Sequence, residues 1–554
     1  MEKDPFFRCY SVVDERSAGY FALGLAQELN EPVVISCTSS TATCNYWPPV
    51  AEAYYQGVPI IVLTSDRDPA MLGQWEDQMI DQVGMYDRHV RKSVNLPIIH
   101  DRDDELFCQR LVNEAFLELN HHGTGPVHIN VPMKSYNNSF NVKELPDVVK
   151  FDRLAFEIDN DQWKERVARL SNAKRILVIC GQSSHVSTRL NTAIRLFFQK
   201  FNAVVATEYM SNIEFDQAVN TSVCMDARYV TKKKVKELLP DIVISFGGNI
   251  MSGIKEQLRK FAYEFEHWSI QENGRVVDMY KSLTTIFECS PEYFFEYCNT
   301  HTVESAENDF AYYNQWRKYI DAVVVPEFPY SHVYAIEKVA KHIPDDSLLH
   351  LSINDSIRIT NFFKINPNIK IYANIGTHGI DGCLSSFLGQ AAASPDKEAF
   401  LIIGDLAFFY DMNALRLPHI GNNVHILLVN NEGGSEFYFN GMWKDDYSDL
   451  HTTARHHTKA EGWVKSNNFD YFAAYDKDSL AECLPSFMTQ NRDRPVFLEV
   501  FTEMKTDADT IYDFFDLSRP RDAKSEFIRN SKEIIKATIG QDRAKKIAHT
   551  LGIR

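Results

Sequence analysis

Short apolar runs alternate with amphipathic stretches over most of the chain. In the first 133 residues, strand-like runs at 32–36, 58–64 and 126–131 are separated by helical patterns at 17–29 and 104–119. Apolar runs of this length, bounded by turn residues, are typical of strands that are buried on both faces of a sheet. Their alternation with helices predicts a doubly wound parallel sheet.

The same alternation returns twice further along the chain. A second unit has strand-like runs at 176–180, 203–207 and 242–246, and a third, after an amphipathic helix at 333–341, has them at 348–351, 369–372, 399–403, 424–429 and 496–500. The predicted fold class is therefore α/β, with three doubly wound parallel-sheet domains and a helical C-terminal tail. The expected segments are 1–133, a polar linker at 134–155, 156–328, 329–508, and a basic tail at 509–554 with candidate helices at 525–538 and 541–551.

Composition and charge favour small-molecule chemistry. The chain has 554 residues, 44% of them hydrophobic and 12% aromatic, which is ample for several globular domains. A formal net charge of −17 argues against binding to nucleic acid or to an anionic membrane, because both need a basic surface. The start has no apolar signal segment and no run approaches the ~18 to 20 apolar residues of a membrane helix, so we expect a cytoplasmic protein. Ten cysteines without a Cys-x-x-Cys pair are interpreted as reduced thiols.

Two polar turns in the third unit carry the clearest chemistry. The turn at 404–406 ends the run 399–403, and the turn at 430–434 ends the next run, with the intervening 412–420 long enough for one crossover helix. Ligands of open α/β sheets bind at such carboxyl ends. A carboxylate on one turn and an amide on the next can hold a divalent cation, and glycines let backbone amides approach a phosphate. The pair predicts a Mg²⁺-diphosphate site, with ordinary strand-turn-helix residues as the alternative.

The two turns together resemble the signature of thiamin diphosphate enzymes. That resemblance, and not the spacing alone, names thiamin diphosphate and Mg²⁺ as the expected cofactors. It implies that Asp405, Asn431 and the carbonyl of Gly433 bind the metal. It also implies that the cofactor contacts the neighbouring turn residues Gly404, Leu406 and Gly434.

A further carboxyl is expected from the way in which this cofactor is activated. An enzyme carboxyl protonates the pyrimidine ring, so that the cofactor's own amino group can act as a base. The best candidate is Glu52, which lies among apolar and aromatic residues in 45–53, after a turn-like segment at 37–42. On the pattern alone, a solvent-facing helix glutamate is an equal alternative.

Several segments resemble one branch of these enzymes, the 2-succinyl-5-enolpyruvyl-6-hydroxy-3-cyclohexene-1-carboxylate synthases of the menaquinone pathway. The segments are 14–17, 37–42, 45–48, 52–53, 63–67, 78–82, 379–382 and 430–434. The resemblance implies that Glu52 is the activating carboxyl and that Ile380 is an apolar wedge holding the cofactor bent, the alternative being an ordinary core isoleucine. It also implies decarboxylation of 2-oxoglutarate and transfer to isochorismate. A homodimer or homotetramer is implied, in which one subunit holds the pyrimidine and another the diphosphate.

The chain departs from this branch where substrate is expected to bind. It begins thirteen residues before Asp14, so the first strand and its substrate-binding loop are expected to be absent. Ile375 stands where the branch has an arginine. Glu436 stands beside the metal turn, where it is expected to repel a dicarboxylate donor, or else to act as an acid or base in catalysis or to pair with a cationic substrate. The substrate contacts that remain are Arg67, Gln78, Lys255 and Arg358, and each cation could instead be a surface residue.

These departures predict an altered donor, acceptor or both. The reaction expected is decarboxylation of a 2-oxo acid with transfer of the acyl unit to an acceptor. The alternatives are a simple 2-oxo acid decarboxylase, in which a proton is the acceptor, and a non-catalytic member of the family.

Overall fold

Three separate parallel sheets, one in each third of the chain, make up the fold. The computed structural model describes residues 4–134, 148, 161–226, 230–302, 308–438 and 448–515. The first sheet has the strand order β1-β2-β4-β3. Its strands are β1 (Val33–Cys37), β2 (Ile60–Asp66), β3 (Lys92–Asn95) and β4 (Val127–Pro132), and its helices are α1 (Glu15–Leu29), α2 (Thr41–Asn45), α3 (Trp47–Gln56) and α4 (Arg102–Glu118).

The second sheet has six strands in the order β10-β9-β8-β5-β6-β7. The strands are β5 (Ile176–Cys180), β6 (Ala203–Thr207), β7 (Val219–Asn220), β8 (Ile242–Phe246), β9 (Glu266–Ile270) and β10 (Leu283–Phe287). The helices of this unit are α5 (Asp161–Asn172), α6 (Thr188–Lys200), α7 (Ser222–Met225), α8 (Lys232–Glu237), α9 (Ile254–Arg259), α10 (Pro291–His301) and α11 (Ala311–Asp321). Its central strands β5 and β8 are fully buried, which explains their uninterrupted apolar sequence.

The third sheet also has six strands, in the order β12-β11-β13-β14-β16-β15. The strands are β11 (Leu348–Leu351), β12 (Lys370–Tyr372), β13 (Ala399–Gly404), β14 (Val424–Asn430), β15 (Asp470–Ala474) and β16 (Val496–Phe501). The helices are α12 (His332–Ala340), α13 (Asp355–Thr360), α14 (Cys383–Ala393), α15 (Asp405–Asp411), α16 (Ser448–His451), α17 (Glu461–Ser466), α18 (Lys477–Phe487) and α19 (Met504–Phe515). The α/β class and the three parallel sheets predicted from the sequence are confirmed.

The crossover between β13 and β14 differs from the prediction. A helix over 412–420 is wrong, because α15 begins at Asp405, directly at the end of β13, and only a short 3₁₀ turn (Met412–Arg416) follows it. The acidic Asp405 suits a first helical turn. Leu417 is extended, as expected for a residue that precedes a proline, and this ends the helical segment early. The candidate helices at 525–538 and 541–551, and nearly all of the predicted linker, lie outside the described residues.

The first and third units pack together through α1 and α14. A glycine in each helix allows this contact, because a Cβ on Gly24 would overlap the Ser386 carbonyl oxygen and a Cβ on Gly389 would overlap the Phe21 carbonyl oxygen. Polar side chains also cross this interface, and Tyr20 Oη lies 3.2 Å from the Asp381 carboxylate. The backbones can therefore approach closely and fix the two units relative to each other.

The central unit docks on a segment of the third unit, residues 371–378, which we call the clamped segment. Side chains at the carboxyl ends of β5, β6 and β8 donate to its carbonyl oxygens: Gln182 to Ala373 at 2.6 Å, Asn212 to Ile371 at 2.8 Å and Asn249 to Ile375 at 3.3 Å. The first unit contacts the same segment. The clamped segment is therefore held from two sides.

Two expectations about chain chemistry can be compared with the structure. In the described ranges, no helix is both long enough and apolar enough to span a membrane. All ten cysteines have free thiols, as predicted, and four of them are buried: Cys180, Cys224, Cys298 and Cys383.

Candidate active site

Glu52 is a buried carboxylate that joins the first unit to the clamped segment. Helix α3 begins with prolines in its first turn and ends at Gly57, whose φ of 70° a glycine adopts without strain. Glu52 lies in its second turn with no exposed surface, so the alternative of a solvent-facing glutamate is wrong. Its oxygens accept from Gly376 N at 2.9 Å, Thr377 N at 2.7 Å, the Thr377 hydroxyl, and Gln56 Nε2 at 2.5 Å.

Gly376, one of these donors, lies very close to Glu52. A Cβ on Gly376 would lie 3.1 Å from Glu52 Oε1 and 3.1 Å from the Glu52 carbonyl oxygen. Ile380 follows four residues later and is partly buried, packing at the edge of a core formed by α14, β13 and β14. A partly exposed apolar side chain thus follows shortly after the residues that contact the buried acid Glu52.

Asp405 organises the two polar turns of the third sheet. Strands β13 and β14 are parallel neighbours, so their carboxyl ends meet at one edge. Asp405 is 2% exposed, and its Oδ2 accepts from Asn431 N at 3.0 Å and from Gly433 N at 2.9 Å. Its Oδ1 accepts from Leu406 N at 2.6 Å. His456 Nε2 lies 3.4 Å from Oδ2, and hydrogen bonding to Asp405 raises the pKa of His456.

Buried carboxylates orient both asparagines of the second turn. Asn430 Nδ2 donates to Glu499 at 2.7 Å, and Asn431 Nδ2 donates to Asp507 at 2.8 Å. Each asparagine therefore directs its amide oxygen away from the carboxylate. The Asn430 oxygen accepts from Glu432 N, whereas within the described part of the chain no donor lies on the Asn431 oxygen.

These residues fit a hard divalent cation. Asp405, the Asn431 amide and the Gly433 carbonyl offer three oxygen ligands, although the Gly433 carbonyl also accepts from Ser435 N at 3.1 Å. Mg²⁺ prefers six oxygens and usually takes several from phosphate and water. The described residues contain no group of three or more histidine, cysteine, aspartate or glutamate side chains arranged to hold a metal. A set with a single carboxylate therefore needs a ligand such as a diphosphate to complete it.

Lys255, Arg358 and Glu436 converge where the central and third units meet. Lys255 Nζ donates to Asn249 at 3.0 Å, and Asn249 Nδ2 lies 3.0 Å from His378 Nε2. Arg358 donates to Glu436 at 2.9 Å. Burial lowers the pKa of His378, and the cations Lys255 and Arg358 lower it further, while burial raises the pKa of Glu436. These groups form a cluster in which the carboxylate of Glu436 partly neutralises the two cations.

The other two predicted substrate residues pair in the first unit. Arg67 Nη2 donates to Gln78 Oε1 at 2.7 Å, and the Gln78 carbonyl accepts from Ser39. Gln78 has a positive φ of 54°, so the turn that carries it is held in an unusual conformation by these contacts.

Comparison with known proteins places the chain in a family. The family model described as "Thiamine pyrophosphate enzyme, N-terminal TPP binding domain" matches residues 1–85. A 2-succinyl-5-enolpyruvyl-6-hydroxy-3-cyclohexene-1-carboxylate synthase from Phocaeicola vulgatus is 36% identical over 523 residues, covering 92% of this chain and 91% of the relative. The synthase of the same name from Bacteroides thetaiotaomicron is 37% identical and covers 92% of each chain. The chain belongs to this synthase family.

Membership in the synthase family makes the chain a thiamin diphosphate enzyme by descent and confirms the resemblance drawn from the motifs. A solved structure, benzoylformate decarboxylase from Polynucleobacter necessarius, matches with a TM-score of 0.65 at 14% identity, covering 90% of this chain and 92% of that one. At this identity the likeness shows the fold alone, and it agrees with the three-sheet architecture.

Several residues of the site were missed at the level of sequence. Thr377 and His378 are polar residues directly before the segment 379–382, and that position could have revealed them. Asp507 and His332 carried no local signal, because Asp507 contacts Asn431 across 76 positions and His332 contacts Asp507 across 175 positions.

Proposed function

We propose that the protein uses thiamin diphosphate and Mg²⁺ to decarboxylate a 2-oxo acid and transfers the acyl anion equivalent to an acceptor. One observation carries the proposal. The buried carboxylate of Glu52 is fixed against the clamped segment, which leads directly to Ile380, while Asp405 and Asn431 meet at adjacent strand ends of the same unit. These contacts support the proposal that both halves of the cofactor site belong to this protein.

Each residue then has a distinct task. Asp405, Asn431 and the Gly433 carbonyl would hold the metal, and the backbone at Gly404, Leu406 and Gly434 would lie beside the diphosphate. A Cβ on Gly404 would meet nothing within 4 Å, so there is open space at this turn. When bound, thiamin diphosphate would supply an electron sink for the carbanion that remains after CO₂ is lost.

Glu52 and Ile380 would prepare the site for that chemistry. Glu52 would hold a proton at the pyrimidine ring nitrogen. Because this carboxyl has no contact with water, it would exchange the proton with the pyrimidine alone. Ile380 would pack between the two rings, since an apolar side chain shapes a ligand without competing for its hydrogen bonds. Glu436 would be available for proton transfer near the substrate only after it separates from Arg358.

The cluster of Lys255, Arg358 and Glu436 supports the proposal of a substrate with a carboxylate. Lys255 and Arg358 supply two cations, and their partial burial strengthens their attraction for an anion. The relatives are named for a 2-succinyl product. We therefore propose a donor with a second carboxylate, such as 2-oxoglutarate, and an isochorismate-like acceptor. Glu436, which lowers the positive charge of this cluster, is a reason to test other donors as well. Ile375, a buried residue that stands where the branch has an arginine, is a second reason.

We also propose that the protein is a homodimer or homotetramer with sites shared between subunits. Large apolar side chains that are exposed in the described ranges concentrate in the first unit, and α4 alone exposes Leu106, Phe107 and Phe116. Such a surface favours association. Within one chain Glu52 contacts its own clamped segment, and the same contacts could be exchanged between protomers, as in domain swapping.

The decisive experiment is a screen of 2-oxo acids with the enzyme loaded with Mg²⁺ and thiamin diphosphate. We expect CO₂ release from a dicarboxylic 2-oxo acid, and a coupled product only when an enoate acceptor is present. Asp405→Ala should abolish cofactor binding measured by circular dichroism. A free aldehyde as the sole product in the presence of acceptors would indicate a simple decarboxylase, and wild-type protein without cofactor affinity would refute the proposal.

A further inference from the structure

The amide of Asn431 has its orientation fixed by a residue from another element. Asn431 Nδ2 donates to Asp507 Oδ2 at 2.8 Å, and Asp507 lies in α19, after the last strand of the third sheet. An asparagine side chain that donates on one side must present its carbonyl oxygen on the other. A cation at the turn would therefore meet the oxygen and not the NH₂ group.

Asp507 is itself rigidly placed. It has no exposed surface, and its Oδ2 also accepts from the Thr502 hydroxyl at 2.6 Å, while its Oδ1 accepts from His332 N at 2.8 Å. Three donors from three parts of the chain thus converge on one carboxylate. Because all of them are close to ordinary hydrogen-bond length, the carboxylate has little freedom to rotate.

A buried carboxylate needs a counter-charge, and His332 provides it. His332 Nδ1 lies 3.3 Å from Asp507 Oδ1, and His332 Nε2 lies 3.4 Å from Asp355 Oδ2. Both ring nitrogens of His332 are buried and lie between the two carboxylates, so a protonated imidazole would give each carboxylate a partner of opposite charge.

We propose that Asp507 is a positioning residue for the divalent cation, and that it acts by holding the Asn431 amide oxygen toward the metal, with His332 as its counter-ion. The inference rests on the proposed function, because it takes the turn as the metal site. It accounts for the buried contact between His332 and Asp507 behind this turn. Partners that orient a metal ligand are typically worth about 10- to 100-fold in metal affinity.

The test uses the full-length protein and measures metal binding without turnover. Mg²⁺ is titrated at saturating thiamin diphosphate, and the near-ultraviolet circular dichroism of the bound cofactor gives the half-saturating concentration. Asp507→Asn keeps the size of the side chain but can place an NH₂ group against Asn431 Nδ2, which favours rotation of the Asn431 amide. We expect the half-saturating Mg²⁺ concentration to rise about 10- to 100-fold.

Two controls separate positioning from general damage. Glu499→Gln makes the same carboxylate-to-amide change behind Asn430, and we expect it to leave Mg²⁺ binding close to wild type. In an Asn431→Ala background, Asp507→Asn should add little further loss, because two residues that act through one contact are not additive. If Asp507→Asn does not fold, His332→Gln, which removes the counter-charge, should still weaken Mg²⁺ binding several-fold.

Some outcomes would overturn the inference. A folded Asp507→Asn protein with the wild-type Mg²⁺ requirement would do so, and so would an equal loss in the presence and absence of Asn431. These results leave the proposed function intact, because wild-type protein would still bind the cofactor with Mg²⁺. A wild-type protein without any Mg²⁺-dependent signal would refute the proposed function and this inference together.

Discussion

Arg358 donates to the Glu436 carboxylate across 2.9 Å, so a cation expected to bind substrate is paired with an acid expected to take part in catalysis. Both side chains are about one quarter exposed, at 28% and 26%. A carboxylate substrate that approaches Arg358 must compete with Glu436 for the guanidinium. If Arg358 binds the substrate, as proposed, this ion pair would lower the affinity for anionic donors.

Glu436→Gln should improve binding of a dicarboxylic donor. The amide can still accept from Arg358, but it no longer neutralises the guanidinium, which is free to attract the substrate. A partly exposed ion pair is worth about 1 kcal/mol, so we expect KM for 2-oxoglutarate to fall about fivefold. Steady-state kinetics with pyruvate, which lacks the second carboxylate, provides the matched control. An equal fall in KM for both substrates would contradict this assignment.

Glu52→Gln should remove most of the activity while leaving the fold intact. Glutamine fits the same space and can accept from Gly376 N, but it cannot deliver a proton to the pyrimidine. Loss of a general acid typically costs about 10²- to 10⁴-fold in rate, and we expect kcat to fall within that range. Turnover is measured with the best 2-oxo acid, and cofactor binding is followed in parallel by circular dichroism. Wild-type turnover in this variant would show that Glu52 is not the activating acid.

Gly376→Ala should reduce activity, although the added methyl group would touch Glu52 and not a ligand. The added methyl would lie 3.1 Å from Glu52 Oε1, closer than carbon and oxygen normally approach, so the acid must shift. We expect about a tenfold or larger loss of kcat/KM, since small displacements of reacting groups are costly. Gly462→Ala is the matched control, because a Cβ there meets nothing within 4 Å. Equal activity of the two variants would contradict the importance of this close approach.

Asp411→Asn should flatten the dependence of stability on pH. Asp411 is fully buried, accepts from Ser385 N at 2.7 Å and lies where α15 meets α1. Burial raises its pKa to about 7, above the value of an unfolded aspartate. The folded state therefore binds the proton more tightly, and its stabilising contribution, complete below about pH 4, is lost as the pH rises through about 7.

Thermal unfolding from about pH 5 to about pH 8 measures this effect. We expect Tm of Asp411→Asn, taken relative to Tm of the wild-type protein at the same pH, to rise over this interval. Other buried groups titrate in both proteins and cancel from this difference, among them Asp226, whose pKa burial raises to about 7, and His128, whose pKa burial lowers to about 4. Parallel curves for the two proteins would show that Asp411 does not titrate in this range.

Mixing two inactive variants tests whether sites are shared between subunits. Glu52→Gln and Asp405→Ala damage the two halves of the site on different units. If protomers exchange their first units, refolded mixtures should recover about a quarter of wild-type turnover, since half of the dimers are mixed and each of these has one intact site. No recovery, with mixed dimers shown by mass spectrometry, would mean that each chain uses its own Glu52, as in the contact described here.

Much of the fold could be predicted from the hydrophobic pattern. The buried strands of the second and third units are continuous apolar runs, and their predicted positions agree with β5, β8, β13 and β14 to within about one residue. The two polar turns could be predicted to lie side by side, because neighbouring parallel strands end at the same edge of a sheet. The error in the crossover arose because a strand can pass directly into a helix, as at Asp405, without an intervening loop.

The supporting residues of the site could not be predicted in the same way. Asp507 contacts Asn431 across 76 positions, and Glu436 meets Arg358 across 78. Periodicity reports only local structure, so it cannot show which distant carboxylate turns inward. Thr377 is an intermediate case: it adjoins a motif, but its role depends on Glu52, which another unit brings to it.

Glu52 accepts four hydrogen bonds from the protein alone. A pyrimidine ring nitrogen can reach this carboxyl only by displacing one of those donors. Binding of the ring at Glu52 therefore exchanges one hydrogen bond for another and releases little heat. The affinity for a coenzyme must then arise mainly from its charged end. A pyrimidine fragment without phosphates should compete very poorly, and pyrophosphate alone should be the better inhibitor.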